Sequence, residues 1–151
     1  MASALLDPEN IREIFPNPTI PKIHRTPHFF SIAEAHALLN ENATSVYSSR
    51  RNPALGHYIL TASNAEYLLC AGIAFIIPFN LGVHPVVAPG STDTKIAHAK
   101  REYEESTREF RLFKAVDNAL KNQLVNAIND IYINYLQDRV TVFANRSAMK
   151  T

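Results

Sequence analysis

One cysteine stands in the whole chain, and a lone thiol excludes an internal disulfide framework and any zinc site built on paired cysteines. Within AEYLLCAGIAF, Cys70 reads as a small buried hydrophobe. The six histidines, His24, His28, His36, His57, His84 and His98, never take the HExxH or HxH spacing that turns two imidazoles onto one metal. They are expected at the surface or in local hydrogen bonds. The four glycines, Gly56, Gly72, Gly82 and Gly90, are dispersed, so no glycine-rich loop cradles a phosphate. A GxSxG elbow for a serine nucleophile is also missing. No catalytic residue, metal or cofactor is expected, and no enzyme.

Charge of one sign and long apolar runs are lacking too. The net charge of +1 is too small to argue for nucleic acid by itself. The longest hydrophobic patch, Leu68 to Leu81, is interrupted by Gly72, Pro78 and Asn80 and is too broken to span a bilayer. The opening MASALLDPEN has neither the basic region nor the apolar core of a signal peptide. A soluble, cytoplasmic, single-domain protein with no membrane partner and no small-molecule substrate is the expectation, and 46% hydrophobic residues suit a folded chain.

What the sequence does have is one long stretch, Thr94 to Asp138, free of proline and glycine although the chain holds nine prolines and four glycines. Ile96, Ala99, Tyr103, Phe110, Phe113, Val116, Leu120, Leu124, Ala127, Ile128, Ile131, Tyr135 and Leu136 recur at gaps of three and four, the signature of an amphipathic helix. Such a stripe must meet another part of the chain or another chain. Thr92 is placed to cap the helix, and Glu104 to pair with Arg108. The length exceeds the usual globular range, so a break is expected at Val116–Asp117, where Asp117 would cap a second helix. One long broken helix and two antiparallel helices both remain open. Asp117 and Lys121 read as part of a solvated face.

Upstream, Pro8, Pro16, Pro18, Pro21 and Pro27 predict an extended arm over residues 1–28, with at most one turn around Glu9 to Phe15. Its Ile14, Phe15, Ile20 and Ile23 could lie in a groove on the body. Ser31 and Glu34 have capping-box spacing, with Phe30 as a staple, and predict a helix to about Asn42. Ser63 and Glu66 predict a second, short helix ending at Gly72. HYILTA reads as a short extended piece, and Ile73 to Ser91, cut by Pro78, Pro85 and Pro89, as an irregular apolar connector packed along helices, with edge strands as the alternative. Val140 to Phe143 is strand-like.

Several of these stretches, taken in order, resemble the Gag-like proteins of copia-type long-terminal-repeat retrotransposons, of the kind abundant in diatom and other protist genomes. The resemblance rests first on Ile23, Pro27, Ser45–Val46, Gly56–His57–Tyr58, Leu60–Thr61 and Tyr67. It rests second on Pro89–Gly90–Ser91–Thr92 and Ile96, followed by Phe113, Ala119–Leu120, Lys121, Gln123–Leu124, Ala127–Ile128, Ile131–Tyr132, Leu136 and Asp138–Arg139. It implies a helical capsid-like domain that assembles with copies of itself or with other Gag-like chains around RNA, with no active site. Arg25 and Arg50–Arg51 depart from the family pattern, and no zinc knuckle follows, so a truncated or degenerate copy is expected.

The fold class expected is therefore all-α: a small helical domain with two long C-terminal helices, or one long broken helix, and a proline-rich arm. The divisions are an arm at 1–28, a helical Gag-like domain at 29–145 and a tail at 146–151. The residues expected to carry core packing or self-association are Phe110, Phe113, Leu120, Leu124, Ile128, Ile131 and Tyr135. The alternative function is a nucleic-acid-binding fragment that uses Arg50, Arg51, Lys100, Arg101, Arg108 and Arg111.

Overall fold

The structure, a computed structural model, describes residues 8–24, 26–48, 53–83 and 86–128. Among the described residues four α-helices follow one another: α1 (Pro8–Ile14), α2 (Phe29–Ser45), α3 (Asn64–Ala71) and α4 (Asp93–Ala127). Two single-turn 3-10 helices, Pro53–Leu55 and Tyr58–Leu60, lie between α2 and α3. Among the described residues the β content is one isolated parallel bridge between Ile23 and Ile128. The described residues form an all-α domain, and HYILTA turns helically where an extended piece was expected.

The helix ends follow local side-chain chemistry. In α3 the box is the one read from sequence: Ser63 Oγ accepts from the Glu66 amide at 3.2 Å, and Glu66 Oε2 accepts from the Ser63 amide at 2.8 Å. Gly72, at φ 77°, then closes the helix in the left-handed conformation. In α2 the box lies three residues earlier than expected. His28 Nδ1 accepts from the Ser31 amide at 3.3 Å, and Ser31 Oγ accepts from the His28 amide at 3.0 Å. A neutral imidazole nitrogen can fill an N-cap as a hydroxyl does, so Ser31 becomes the third helical residue and Phe30, exposed, is no staple. The same helix outruns Asn42 to Ser45, where Thr44 Oγ1 and Ser45 Oγ bond back to the Asn40 and Asn42 carbonyls.

α4 starts as expected, with Thr92 Oγ1 accepting from the Lys95 amide at 3.4 Å. It then runs unbroken through Val116 and Asp117, against the expected break. Lys121, one turn on, holds Asp117 Oδ2 at 2.8 Å, so the carboxylate turns along the helix and caps nothing. The pair is largely buried, not part of a solvated face. The helix ends at Ala127, whose carbonyl accepts from the Ile23 amide at 2.6 Å while Ile128 turns to extended dihedrals. The expected continuation to Asp138, and the strand-like Val140 to Phe143, lie outside the described residues.

The core sits where α1 and α2 pack on the C-terminal part of α4. Ile11, Phe15 and Ile20 of the arm, Ala35, Leu39 and Ala43 of α2, and Ala115, Val116, Ala119, Leu120 and Leu124 of α4 close it. Phe15 and Ile20 thus find the groove the sequence allowed, whereas Ile14 stays exposed. Polar groups lock the arm in place. Asn42 Nδ2 donates to Gln123 Oε1 at 2.9 Å and to the Asn17 carbonyl at 2.8 Å, and Asn42 Oδ1 accepts from the Asn17 amide at 2.9 Å. Gln123 Nε2 reaches the Asn17 and Pro18 carbonyls, each at 3.0 Å. Buried amides of this kind are tolerable only when satisfied, and here they join arm, α2 and α4 in one network.

Candidate functional site

The self-association residues read from the stripe are mostly used inside the chain. Leu120 and Leu124 are buried, and Phe113 and Ile128 pack half-buried against the core. Phe110 is half-buried. Phe113 stacks on Phe75 with centroids 6.0 Å apart and lies 6.1 Å from the His57 ring. Ile131 and Tyr135 fall outside the described residues.

The basic residues do not form a patch of one sign. Lys100, Arg101, Arg108 and Arg111 are exposed on α4, but Glu102, Glu104 and Glu105 alternate with them. Arg108 pairs with Glu105 at 3.9 Å, and His98 approaches Glu102 at 3.6 Å. Arg50 and Arg51 lie outside the described residues. Among the described residues no group of three His, Cys, Asp or Glu side chains could hold a metal, and no helix is long and apolar enough to cross a membrane.

A different surface is prominent. From Asp93 to Arg108 no residue of α4 is buried, and of the described residues between Gly72 and Thr92 Pro78 alone is buried. Leu68 and Leu69 of α3, then Ile73, Ile76, Ile77, Phe79, Leu81, Val83 and Val86 of the connector, are all exposed, with Leu69 at 85%, Val83 at 87% and Val86 at 96%. Cys70, expected inside, is exposed with them because α3 turns only Tyr67 fully inward. No Lys, Arg, Asp or Glu occurs between Tyr67 and Thr92.

The connector is irregular as expected, but it is fastened at a few points only. Phe75 meets Tyr67 edge-on at 5.4 Å and stacks on Phe113; Pro78 is buried; Tyr103 Oη donates to the Gly82 carbonyl at 2.7 Å. Between these anchors its aliphatic side chains face water. A second exposed apolar group, Phe29, Phe30 and Ile32, opens α2 beside a groove of about 190 Å³ between the arm and that helix.

One titratable group is deeply enclosed. His57 is buried, its Nδ1 2.9 Å from the Val46 carbonyl, and burial holds its pKa below 6.5 against the opposing pull of that carbonyl and of the Glu109 carboxylate. It links the end of α2 to α4 through Phe113. At the surface, bonds from Ser63 keep the Glu66 carboxyl below its usual value. No family model, curated protein or solved structure matches the chain.

Proposed function

We propose that the chain is a non-enzymatic interaction module that associates with further copies of itself, the role that the Gag-like resemblance implies, and that the contact is made by α3 and the connector. The observation that carries this reading is the set of exposed apolar side chains from Leu68 to Val83, joined by Val86, in a stretch without Lys, Arg, Asp or Glu and interrupted among the described residues by the half-buried Ala71 and Phe75 and the buried Pro78. Exposed apolar residues scattered singly are ordinary, but a sustained run of them marks an interaction surface. Each such side chain contributes about 1.5–3 kcal/mol when fully buried. Several together match the roughly 4–15 kcal/mol that association costs in lost freedom.

The self-association surface is therefore distinct from the Leu120–Leu124 part of the stripe, which stabilises the monomer. Light scattering over a dilution series tests the reading. A mass that rises with concentration, and falls to the monomer in Leu69→Glu, supports it; a wild-type monomer at every concentration overturns it. Repeating the series at rising salt separates apolar association, which persists, from binding to co-purifying nucleic acid, which weakens steeply.

A further inference from the structure

We propose that Ile73 to Ile77 pairs, main chain to main chain, with the same residues of a second copy as a short antiparallel ladder. This rests on the self-association reading and names how the two copies meet.

The first support is the backbone. From Ile73 to Leu81 no main-chain group hydrogen-bonds to any described residue. On either side the chain is tied: the Gly72 amide bonds to the Leu68 carbonyl, and the Gly82 amide to Asn80 Oδ1. In the monomer water satisfies these groups, but covering the neighbouring apolar side chains removes that water, and each amide and carbonyl so covered then needs a new partner. A second antiparallel backbone supplies both donor and acceptor to every other residue, and the main-chain groups of the residues between face outward and stay in water.

The second support is composition. Ile73, Phe75, Ile76 and Ile77 are β-branched or aromatic, the residues that fit a pleated surface. The ladder has natural ends. Gly72, in the left-handed cap of α3, precedes it, and Pro78, which has no N–H, follows it. In an antiparallel pair centred on Phe75, with Phe75 facing its counterpart as a non-hydrogen-bonded pair, Ala74 of each copy exchanges both main-chain bonds with Ile76 of the other, and Ile73 lies opposite Ile77, which gives two β-branched cross-strand pairs. Phe75 itself, held between Tyr67 and Phe113, fixes the segment to the helices before the partner arrives.

The same observations choose the occupant. Unpaired peptide groups are costly in a bilayer, and no Lys or Arg between Tyr67 and Thr92 would meet lipid headgroups. A second copy meets no like charge along this stretch, because the stretch carries none, and two-fold pairing sets identical surfaces against each other. Edge protection by Lys or Glu, the usual guard against such pairing, is missing.

The test combines amide hydrogen exchange of the full chain at low and high concentration with dissociation constants for wild type, Ala74→Pro and Leu69→Glu. Ala74 is exposed, and Ala74→Pro deletes one ladder donor while leaving the apolar side chains of the surface in place. The expected result is protection of the Ala74 and Ile76 amides that appears only at high concentration, and at least tenfold weaker association for both variants. If wild type associates and Leu69→Glu weakens it, but Ala74→Pro does not and the amides stay unprotected, pairing is overturned and self-association stands. If wild type never associates, both fall. Wild-type exchange decides the matter even where Ala74→Pro fails to fold.

Discussion

Asn42 and Gln123, 81 residues apart, share a 2.9 Å hydrogen bond in the core, and both side chains also hold the main chain of the arm at Asn17. Asn42→Ala removes one partner from each of three buried or half-buried groups, and stranding such groups costs about 1–3 kcal/mol each before relaxation. We predict a loss of roughly 2–3 kcal/mol in urea unfolding. Increased proteolysis near Asn17 should accompany it, because the network is what fastens the arm there.

Lys121→Met leaves the Asp117 carboxylate buried without its cation, and breaking one side of a buried pair typically costs about 3–5 kcal/mol. The double variant Asp117→Leu/Lys121→Met should recover most of that loss, since neither charge remains to be desolvated. Equal losses in the single and double variants would show that the pair itself contributes the stability.

His57 makes stability depend on pH near neutrality. Its folded pKa lies below 6.5, so as pH falls the unfolded chain takes up the proton first. Stability is therefore full above pH 6.5 and is lost as pH drops from there towards the folded pKa, with a slope of up to about 1.4 kcal/mol per pH unit. Urea melts between about pH 7.5 and 5.5 should show this slope in wild type and a flatter profile in His57→Gln. The Glu66 carboxyl adds a separate loss at lower pH, below its ordinary value of 4.5.

Gly56 has φ 48°, and a Cβ there would sit 2.5 Å from the carbonyl oxygens of Thr44 and Val46. Backbone atoms cannot step aside as a flexible side chain can. Gly56→Ala should destabilise by at least about 2 kcal/mol, whereas Gly72→Ala, with open space around it, costs only the left-handed backbone strain. Thermal melts of the two variants side by side provide the check.

The legible parts of this fold were those written over a few neighbouring residues. Ser63 with Glu66, Gly72 and Thr92 set helix ends by contacts within one turn, and sequence spacing alone places them. The His28 cap was missed because an imidazole serves as acceptor only when its tautomer and neighbours allow it. The expected break at Asp117 failed because Lys121 takes the carboxylate, a competition that spacing shows but does not rank. Distant pairings such as Asn42 with Gln123 leave no local pattern at all. For the candidate surface, the apolar character of the connector was plain, but composition does not record that so few points on the body receive it. Exposure of Leu69, Phe79, Val83 and Val86 emerges only from the packing.

Leu120 and its neighbours pack the core of the chain, and the exposed connector is the surface proposed to hold copies to one another. Sedimentation equilibrium of Phe79→Glu and Leu120→Ala beside wild type, at about 100 µM, with unfolding free energies for the same samples, tests this most directly. The account predicts that Phe79→Glu becomes monomeric with unchanged monomer stability, while Leu120→Ala loses about 2–5 kcal/mol. A wild-type monomer, or a Phe79→Glu variant that unfolds as readily as Leu120→Ala, would contradict it.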